Sequence, residues 1–281
     1  PDICVSVGGR DIFCLPSCTD GSIKVSEFHF SHDKYAVKYG GSFFGNIYAR
    51  FRMRQIEKVA AKLDKFIVLT KSDKKDWEPF VPNVTNIYNP LTFKSEEVAA
   101  LDNEKCIAIG RLESQKNFRD LVAAWKYVAE EYPDWVLEIY GNGSLKESLQ
   151  KQITSLGLDL QVRLMGSSSD IRSKMLDSSC LVMSSAYEGF PMVRLEAVET
   201  GLPMVSYDCP KGPAEIIIDG KSGYLVKPGD VEGLARRVCD VISDAGRRKE
   251  FGAMAKKTAA QYSIDRIMEQ WKTLFEGLMA K

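Results

Sequence analysis

From residue 105 onward, short apolar runs alternate with longer segments of helical spacing. The runs have the length and composition of buried parallel strands and lie at 106–109, 135–140, 162–165, 180–184, 203–206 and 224–226. Between them, apolar residues recur every three or four positions, as in Phe118, Leu121, Val122, Trp125 and Val128. This alternation predicts a doubly wound parallel sheet with right-handed crossovers, in which ligands bind at the carboxyl ends of the strands.

The first 95 residues carry a weaker pattern of the same kind. Apolar runs at 3–7, 23–28, 66–70 and 86–88 predict strands, and a long helix is predicted over 43–63. Asn89-Pro90 ends this block, so 91–103 is predicted to be a linker. We therefore predict two α/β domains, at 1–95 and 104–262, and a terminal helix over 263–281 that packs back on the first.

Composition and charge narrow the class of protein. The length of 281 residues suits about two domains. Lys plus Arg equals Asp plus Glu, at 38 each, so no net charge favours a nucleic acid, and none is predicted as a partner. Seven scattered cysteines without a CxxC pair, and only two histidines, indicate reduced thiols and argue against a zinc site. Without a long apolar run or a leader pattern, we expect a cytoplasmic protein.

One stretch combines features suited to a phosphorylated sugar. After the strand at 180–184, a loop carries Glu188 and Gly189, and Pro191 is predicted at the first position of a helix that Gly201 ends. A helix N-terminus attracts phosphate, and glycine lets the backbone approach a ligand closely. Glu188 and Glu196 could face one cleft, where carboxylates accept hydrogen bonds from paired hydroxyls.

The spacing of Glu188 and Glu196, within Glu-Gly-Phe-Pro and Leu-Glu-Ala, resembles the motif of glycosyltransferase family four. The resemblance implies a GT-B fold, with two Rossmann-like doubly wound domains facing a cleft. It implies that Glu188 contacts the donor sugar and Glu196 the ribose. The other donor-binding residues implied here are Gly189, Phe190, Pro191, Met192 and Val193.

Further segments extend the resemblance over about residues 65–245. Gly110-Arg111, followed by Lys116, is similar to the family loop in which an Arg and a Lys clamp the donor diphosphate. Two phosphates need fixed cations, and Arg supplies a planar fork while Lys supplies a point charge. Asn142 and Gly166 lie in segments that resemble the loops flanking the nucleobase.

The resemblance implies a retaining, metal-independent glycosyltransferase without a cofactor. It would move a hexose from a nucleotide sugar, UDP-linked by family frequency, to a saccharide or lipid-linked saccharide in cell-envelope polysaccharide synthesis. Glu188, Arg111 and Lys116 would be the catalytic residues. The first domain departs from the family because its first strand and Gly-rich loop are absent, so we expect it to be incomplete. His29 is a partial match to a family histidine near the donor sugar, since Phe28 interrupts the Glu-His pair.

Several alternatives stay open at this point. A nucleotide-sugar epimerase of the same fold, or a donor-binding fragment without turnover, would share these motifs. A dehydrogenase is excluded because Lys146 stands where a dinucleotide fingerprint needs glycine. The helix over 43–63 combines aromatic and basic residues. It could lie on the inner face of the membrane or pack its apolar face on the first domain's sheet.

Overall fold

The computed structural model describes residues 2–280, apart from the side chain of Lys38. The chain divides into two compact units. One comprises the residues up to Pro90 together with those from Tyr262 onward, and the other comprises Leu91–Gln261. Each unit has its own parallel sheet and its own hydrophobic core.

The first unit begins with four strands and three helices. In chain order they are β1 (Ile3–Ser6), β2 (Ile23–Phe28), α1 (Lys34–Tyr39), α2 (Phe43–Ala60), β3 (Lys65–Val68), α3 (Lys71–Trp77) and β4 (Val84–Asn86). The strands pair in parallel in the order β1-β2-β3-β4. Ser42 caps α2 by accepting a hydrogen bond from the Gly45 N–H at 3.0 Å, and Thr70 caps α3 in the same way at 2.9 Å.

The second unit continues the alternation of strands and helices. Its elements are β5 (Lys105–Ile109), α4 (Phe118–Glu131), β6 (Val136–Tyr140), α5 (Lys146–Ser155), β7 (Val162–Gly166), α6 (Ile171–Leu176), β8 (Cys180–Met183), α7 (Met192–Glu199), β9 (Met204–Tyr207), α8 (Pro213–Ile216), β10 (Gly223–Val226), α9 (Val231–Ile242) and α10 (Ala245–Ala259).

These six strands form a parallel sheet in the order β10-β9-β8-β5-β6-β7. The order reverses at β5, which has β6 on one side and β8 on the other. The carboxyl ends of β5 and β8 are therefore the topological switch point, where sheets of this kind bind ligands. The predicted apolar face of α4 is buried against this sheet, with Leu121, Val122 and Trp125 all at 0% exposure.

The segment 91–103, predicted as a linker, packs on the second unit instead. Its Ser95 N–H donates to Glu199 at 2.7 Å, and its Ala99 N–H donates to the Thr200 carbonyl at 2.8 Å. Lys256 completes the attachment through an ion pair with Glu199 at 2.7 Å. Leu91 and Leu101 are buried at its two ends, and the second compact unit begins at Leu91. The linker prediction came from the turn signal of Asn89-Pro90.

The last helix, α11 (Ile264–Met279), belongs to the first unit. Ile267 is fully buried in a cluster with Val25, Ile67 and Ile87. Trp271, Leu274 and Leu278 continue the same face and pack on that cluster. The spacing of these side chains explains why the helix has one apolar face.

Candidate functional site

The loops that follow β5 and β8 are joined by hydrogen bonds at the switch point. The Ala186 N–H donates to the Gln115 carbonyl at 2.9 Å, and the Gln115 side-chain amide donates to the Tyr187 carbonyl at 3.1 Å. The Ser184 hydroxyl donates to the carbonyl of Lys116 at 3.0 Å. These bonds fix the relative positions of two loops that are more than 60 residues apart in sequence.

This connection brings together two of the predicted site residues, Lys116 and Glu188. The Lys116 ammonium lies 2.5 Å from Oε1 of Glu188, and the Ser185 hydroxyl donates to the same oxygen at 2.6 Å. Glu188 is only 5% exposed, so the charge-assisted bonds compensate a nearly buried carboxylate. Ser185 was not among the predicted site residues, although a hydroxyl three residues before Glu188 in the same loop was an available signal.

Gly110 lies directly against the Lys116 side chain. A Cβ atom at position 110 would lie 2.9–3.1 Å from three carbon atoms of that side chain. A larger residue would therefore require the flexible lysine side chain to shift. Gly110 thus leaves room for the Lys116 side chain as it extends toward Glu188.

The helix α7 begins one residue later than the sequence predicted. Pro191 has extended geometry, with φ −71° and ψ 127°, and precedes the first helical residue, Met192. Proline fixes φ but not ψ, so it suits either position. The first turn has no side-chain cap, which leaves a positive helix end facing the loop of Glu188. Gly201, at φ +67°, ends the helix as predicted: its N–H bonds to the Val198 carbonyl at 3.2 Å.

Glu196 lies on α7 about one and a half turns from this helix end. It is half-buried, and its carboxylate has no hydrogen bond or ion pair with any residue of 2–280. Burial raises the pKa of Glu196 above its ordinary value of 4.5. A carboxylate without a protein partner is free to accept hydrogen bonds from a ligand.

Arg111, Asn142 and Gly166 border the same loops. Arg111 is exposed and forms no ion pair within the described part of the chain. The Asn142 carbonyl accepts from the Leu112 N–H at 2.9 Å, and its side-chain amide donates to the Ser167 hydroxyl at 3.1 Å. The Gly166 carbonyl accepts from the Gly141 N–H at 2.8 Å. The ends of β5, β6 and β7 thus form one connected rim.

Of the remaining donor-binding candidates, Phe190 is buried, whereas Gly189, Met192 and Val193 are half-buried. They follow Glu188 directly and enter the first turn of α7. The loop from Glu188 and the start of the helix therefore form a continuous backbone surface. Such a surface can contact hydroxyl groups through its N–H and carbonyl groups.

His29 belongs to the first unit, just past the carboxyl end of β2. Its side chain is 39% exposed, and Nε2 lies 3.3 Å from Oε1 of Glu27. The hydrogen bond to Glu27 raises the pKa of His29. All the other predicted site residues lie on the second unit.

The described residues contain neither a cluster of metal-ligating side chains nor a membrane-spanning helix. In residues 2–280, His, Cys, Asp and Glu side chains form no group of three or more that could hold a metal ion. No described helix has both the length and the apolar composition that a membrane span needs. The expectation that the site uses no metal stays a prediction.

Two Rossmann-like parallel-sheet units, with this site at a switch point, are the fold of the GT-B glycosyltransferases. Residues 92–258 match the family described as glycosyl transferases group 1. The chain therefore belongs to the group 1 glycosyltransferase family, as the motifs around Glu188 and Glu196 predicted.

Two similar proteins are named as glycosyltransferases of amylovoran biosynthesis and of poly(glycerol-phosphate). The chain is 32% identical over 221 residues to the amylovoran biosynthesis glycosyltransferase AmsD of Erwinia amylovora, covering 75% of this chain and 62% of that protein. It is 27% identical over 262 residues to the poly(glycerol-phosphate) alpha-glucosyltransferase of Bacillus subtilis, covering 91% and 37%.

Among solved structures, a mutant of S. aureus TarM in complex with Fondaparinux, alpha-GlcNAc-glycerol and UDP matches with a TM-score of 0.79 at 25% identity. The match covers 91% of this chain and 51% of TarM. The chain thus spans 62% or less of the length of these relatives.

Proposed function

We propose that this chain is the donor-binding part of a retaining, metal-independent glycosyltransferase that moves a hexose from a UDP-hexose. The observation that carries the proposal is the arrangement at the switch point. There, a cation and a buried carboxylate, Lys116 and Glu188, lie beside an uncapped helix end, with the unpartnered Glu196 on the same helix. The presence of UDP in the TarM complex supports the choice of nucleotide.

In this proposal each side chain has a separate role. Arg111 and Lys116 bind the diphosphate together with the N-terminus of α7, and Glu196 binds the ribose hydroxyls. The Lys116 ammonium has three N–H donors and uses one of them on Glu188, so the others can donate to the diphosphate. Glu188 then accepts hydrogen bonds from the sugar. As the glycosidic bond to the diphosphate breaks, the fixed cations stabilise the negative charge that develops on the leaving group.

The first unit would supply the acceptor side, with His29 near the sugar. The names of the relatives, which include a poly(glycerol-phosphate) glucosyltransferase and an amylovoran biosynthesis enzyme, support an acceptor of the cell envelope. We therefore propose a saccharide or lipid-linked saccharide acceptor and a cytoplasmic site of action.

Calorimetric titration with UDP, GDP and ADP tests the donor site. We expect selective binding of UDP and a loss of about tenfold or more in affinity in Glu196→Ala, because two ribose hydrogen bonds to a charged acceptor are lost. Glu130→Ala is the matched control, since Glu130 is exposed near the end of α4 that lies away from the strands' carboxyl ends. Equal UDP affinity in the wild type and Glu196→Ala would contradict the role of Glu196.

The pH dependence of this affinity provides a second measurement in the same experiment. Because burial raises the pKa of Glu196, its carboxylate takes up a proton at a higher pH than an exposed Glu would. UDP affinity should therefore begin to fall at a pH above 4.5 as the solution is acidified. Glu196→Gln should lack this component of the pH dependence.

One face of α2 supports a further proposal, that the first unit contacts an anionic membrane surface. The aromatic-basic face consists of exposed Phe43, Phe44, Ile47, Tyr48 and Phe51 together with the cations Arg50, Arg54 and Lys58. Phe44 is 82% exposed, whereas Met53 and Ile56 on the opposite face are buried in the core. Apolar rings beside cations suit an anionic lipid headgroup region.

Flotation with liposomes tests this contact. The protein should bind vesicles that contain phosphatidylglycerol and not vesicles of phosphatidylcholine alone. The double substitution Phe44→Ser, Phe51→Ser should lower binding about tenfold or more, because burying a Phe side chain contributes about 1.5–3 kcal/mol. Leu160→Ser is the control, since Leu160 is 79% exposed on the second unit. Equal binding to both kinds of vesicle would count against the proposal.

A further inference from the structure

A basic cavity lies between α2 and the 3₁₀ turn Arg10–Phe13. Its volume is about 720 Å³. Three cations, two aromatic rings and two other side chains line it: Arg10, Arg52, Lys58, Phe13, Tyr48, Gln55 and Val59. Within the described part of the chain, no Asp or Glu side chain lines this cavity. Three positive charges therefore share one cavity without a counter-charge in its walls.

The sequence of α2 explains the surplus of positive charge. The helix carries four cations and one acid, so its side chains have a net charge of four minus one, or +3. The single acid, Glu57, lies 3.0 Å from Nε2 of His32 and lines a different cavity. Arg50, Arg54 and Lys58 follow one another at a spacing of four residues, at which like charges on a helix repel. An anion bound beside the helix would offset this repulsion.

The cavity on the other flank of α2 has a different charge pattern. It contains Arg50 and Arg54, and it also contains Asp33 and Glu57. Two carboxylates there can balance the two guanidinium groups within the cavity itself. Among the described residues, the basic cavity has no such internal balance, so an anionic ligand suits it better than a neutral one.

Arg52 has a fixed position in the basic cavity. Its Nη1 donates to Oε1 of Gln55 at 2.7 Å, and its guanidinium carbon lies 5.6 Å from the ring centroid of Phe13 and 5.7 Å from that of Tyr35. Arginine has five N–H donors, and within the described residues Arg52 uses one. A planar guanidinium with a fixed orientation and unused donors suits the oxygens of a phosphate group.

The other two cations of the basic cavity are also available to a ligand. Arg10 and Lys58 are exposed, and neither forms an ion pair with any residue of 2–280. Tyr48 and Lys58 belong both to this cavity and to the aromatic-basic face of α2. An anionic membrane presents phosphodiester groups at its surface, so a headgroup is the phosphate source next to that face.

We propose that the basic cavity binds the phosphodiester headgroup of one anionic lipid molecule, through Arg10, Arg52 and Lys58. The inference rests on the proposed membrane contact, to which it adds a defined site for a single lipid. Scattered surface cations attract any anionic surface, whereas a cavity with a fixed guanidinium requires the charge at one position. The contribution of each cation should therefore depend on whether it lines the cavity.

Calorimetry with soluble short-chain lipids tests the site apart from any membrane. Dihexanoyl-phosphatidylglycerol, kept below its micelle concentration, should bind. Dihexanoyl-phosphatidylcholine should bind about tenfold or more weakly, because three positive charges repel its choline cation. Arg52→Gln should weaken phosphatidylglycerol binding about tenfold, because charge-assisted hydrogen bonds are lost. Arg54→Gln is the control of equal charge on the same helix, since Arg54 lines the other cavity, and it should change binding less than about twofold.

Arg10→Gln separates loss of the site from loss of folding. Arg10 is exposed in a short turn, so this variant should melt at the wild-type temperature. It should weaken phosphatidylglycerol binding about threefold, as expected for an exposed charge. It carries the test should Arg52→Gln prevent folding. Equal affinity for the soluble lipid in the wild type and in the folded cavity variants would overturn the inference.

Inorganic phosphate and vesicles complete the design. If inorganic phosphate binds as tightly as the soluble lipid and competes with it, the cavity is a free-phosphate site and the lipid assignment is wrong. Flotation would use vesicles of equal phosphatidylglycerol and phosphatidylcholine. If these bind the wild type, and Arg52→Gln and Arg54→Gln lower the binding equally, the membrane contact stands and the inference fails. If neither vesicles nor soluble lipid binds, both fail. A larger loss in Arg52→Gln than in Arg54→Gln with both probes supports the single-lipid site.

Discussion

Lys116→Met is expected to lower kcat/KM for donor cleavage about a hundredfold to a thousandfold, the range observed when one preorganised donor to a developing negative charge is removed. The Lys116 ammonium is 2.5 Å from Glu188 in the free site, and the side chain reaches there by crossing Gly110. Methionine keeps most of the apolar part of the side chain and removes the ammonium group with its charge and its N–H donors. The loss should therefore appear in turnover as well as in affinity for UDP.

The matched control is Lys126→Met, because Lys126 is exposed on α4 and has no ion pair within the described residues. Rates of donor hydrolysis and of transfer would be measured for both variants with the same sugar nucleotide. Unchanged kcat/KM in Lys116→Met would mean that the diphosphate is neutralised elsewhere. Arg111 would then be the next residue to replace.

Gly141→Ala is expected to lower the free energy of unfolding by about 3 kcal/mol or more, combining backbone strain with overpacking. A Cβ atom at this position would lie 1.8 Å from the Gly110 carbonyl oxygen, and the residue has φ +146°. The loops after β5 and β6 could not then keep their contact. Donor binding should be lost with stability, since Gly110 also lies directly against the Lys116 side chain.

Gly157→Ala provides the comparison for this effect. Gly157 also has a positive φ, of +68°, but a Cβ atom there would meet nothing within 4 Å. Gly157→Ala should lower the free energy of unfolding by about 1 kcal/mol, from backbone strain alone. Urea unfolding of the two variants would measure the difference. Equal losses would show that the loops after β5 and β6 can separate at little cost.

The positions of most strands were predictable because each is a short apolar run between polar segments. The runs predicted at 180–184 and 224–226 differ from the observed β8 and β10 by a single residue at one end. The glycine that ends α7 was also predictable, since Gly201 needs a conformation with positive φ. Local signals of this kind depend on neighbouring residues alone.

What the sequence did not predict depends on contacts through space. The segment 91–103 follows the turn signal of Asn89-Pro90, and only its bonds to Glu199 and Thr200 show that it is packed. The family motif identified Glu188 and Lys116 but not their mutual ion pair. Nothing in the local sequence pattern indicates that the Arg194 side chain is fully buried.

The two ends of α7 have different attachments. Its N-terminus faces the loop of Glu188. At its C-terminus, the Glu199 carboxylate accepts a hydrogen bond from the Ser95 N–H. Ser95 lies a few residues beyond Pro90, where the chain leaves the first unit. Eight helical residues span about 12 Å, a distance over which a helix behaves as a rigid rod. A single short helix therefore connects the loop of Glu188 to the segment through which the chain enters the second unit.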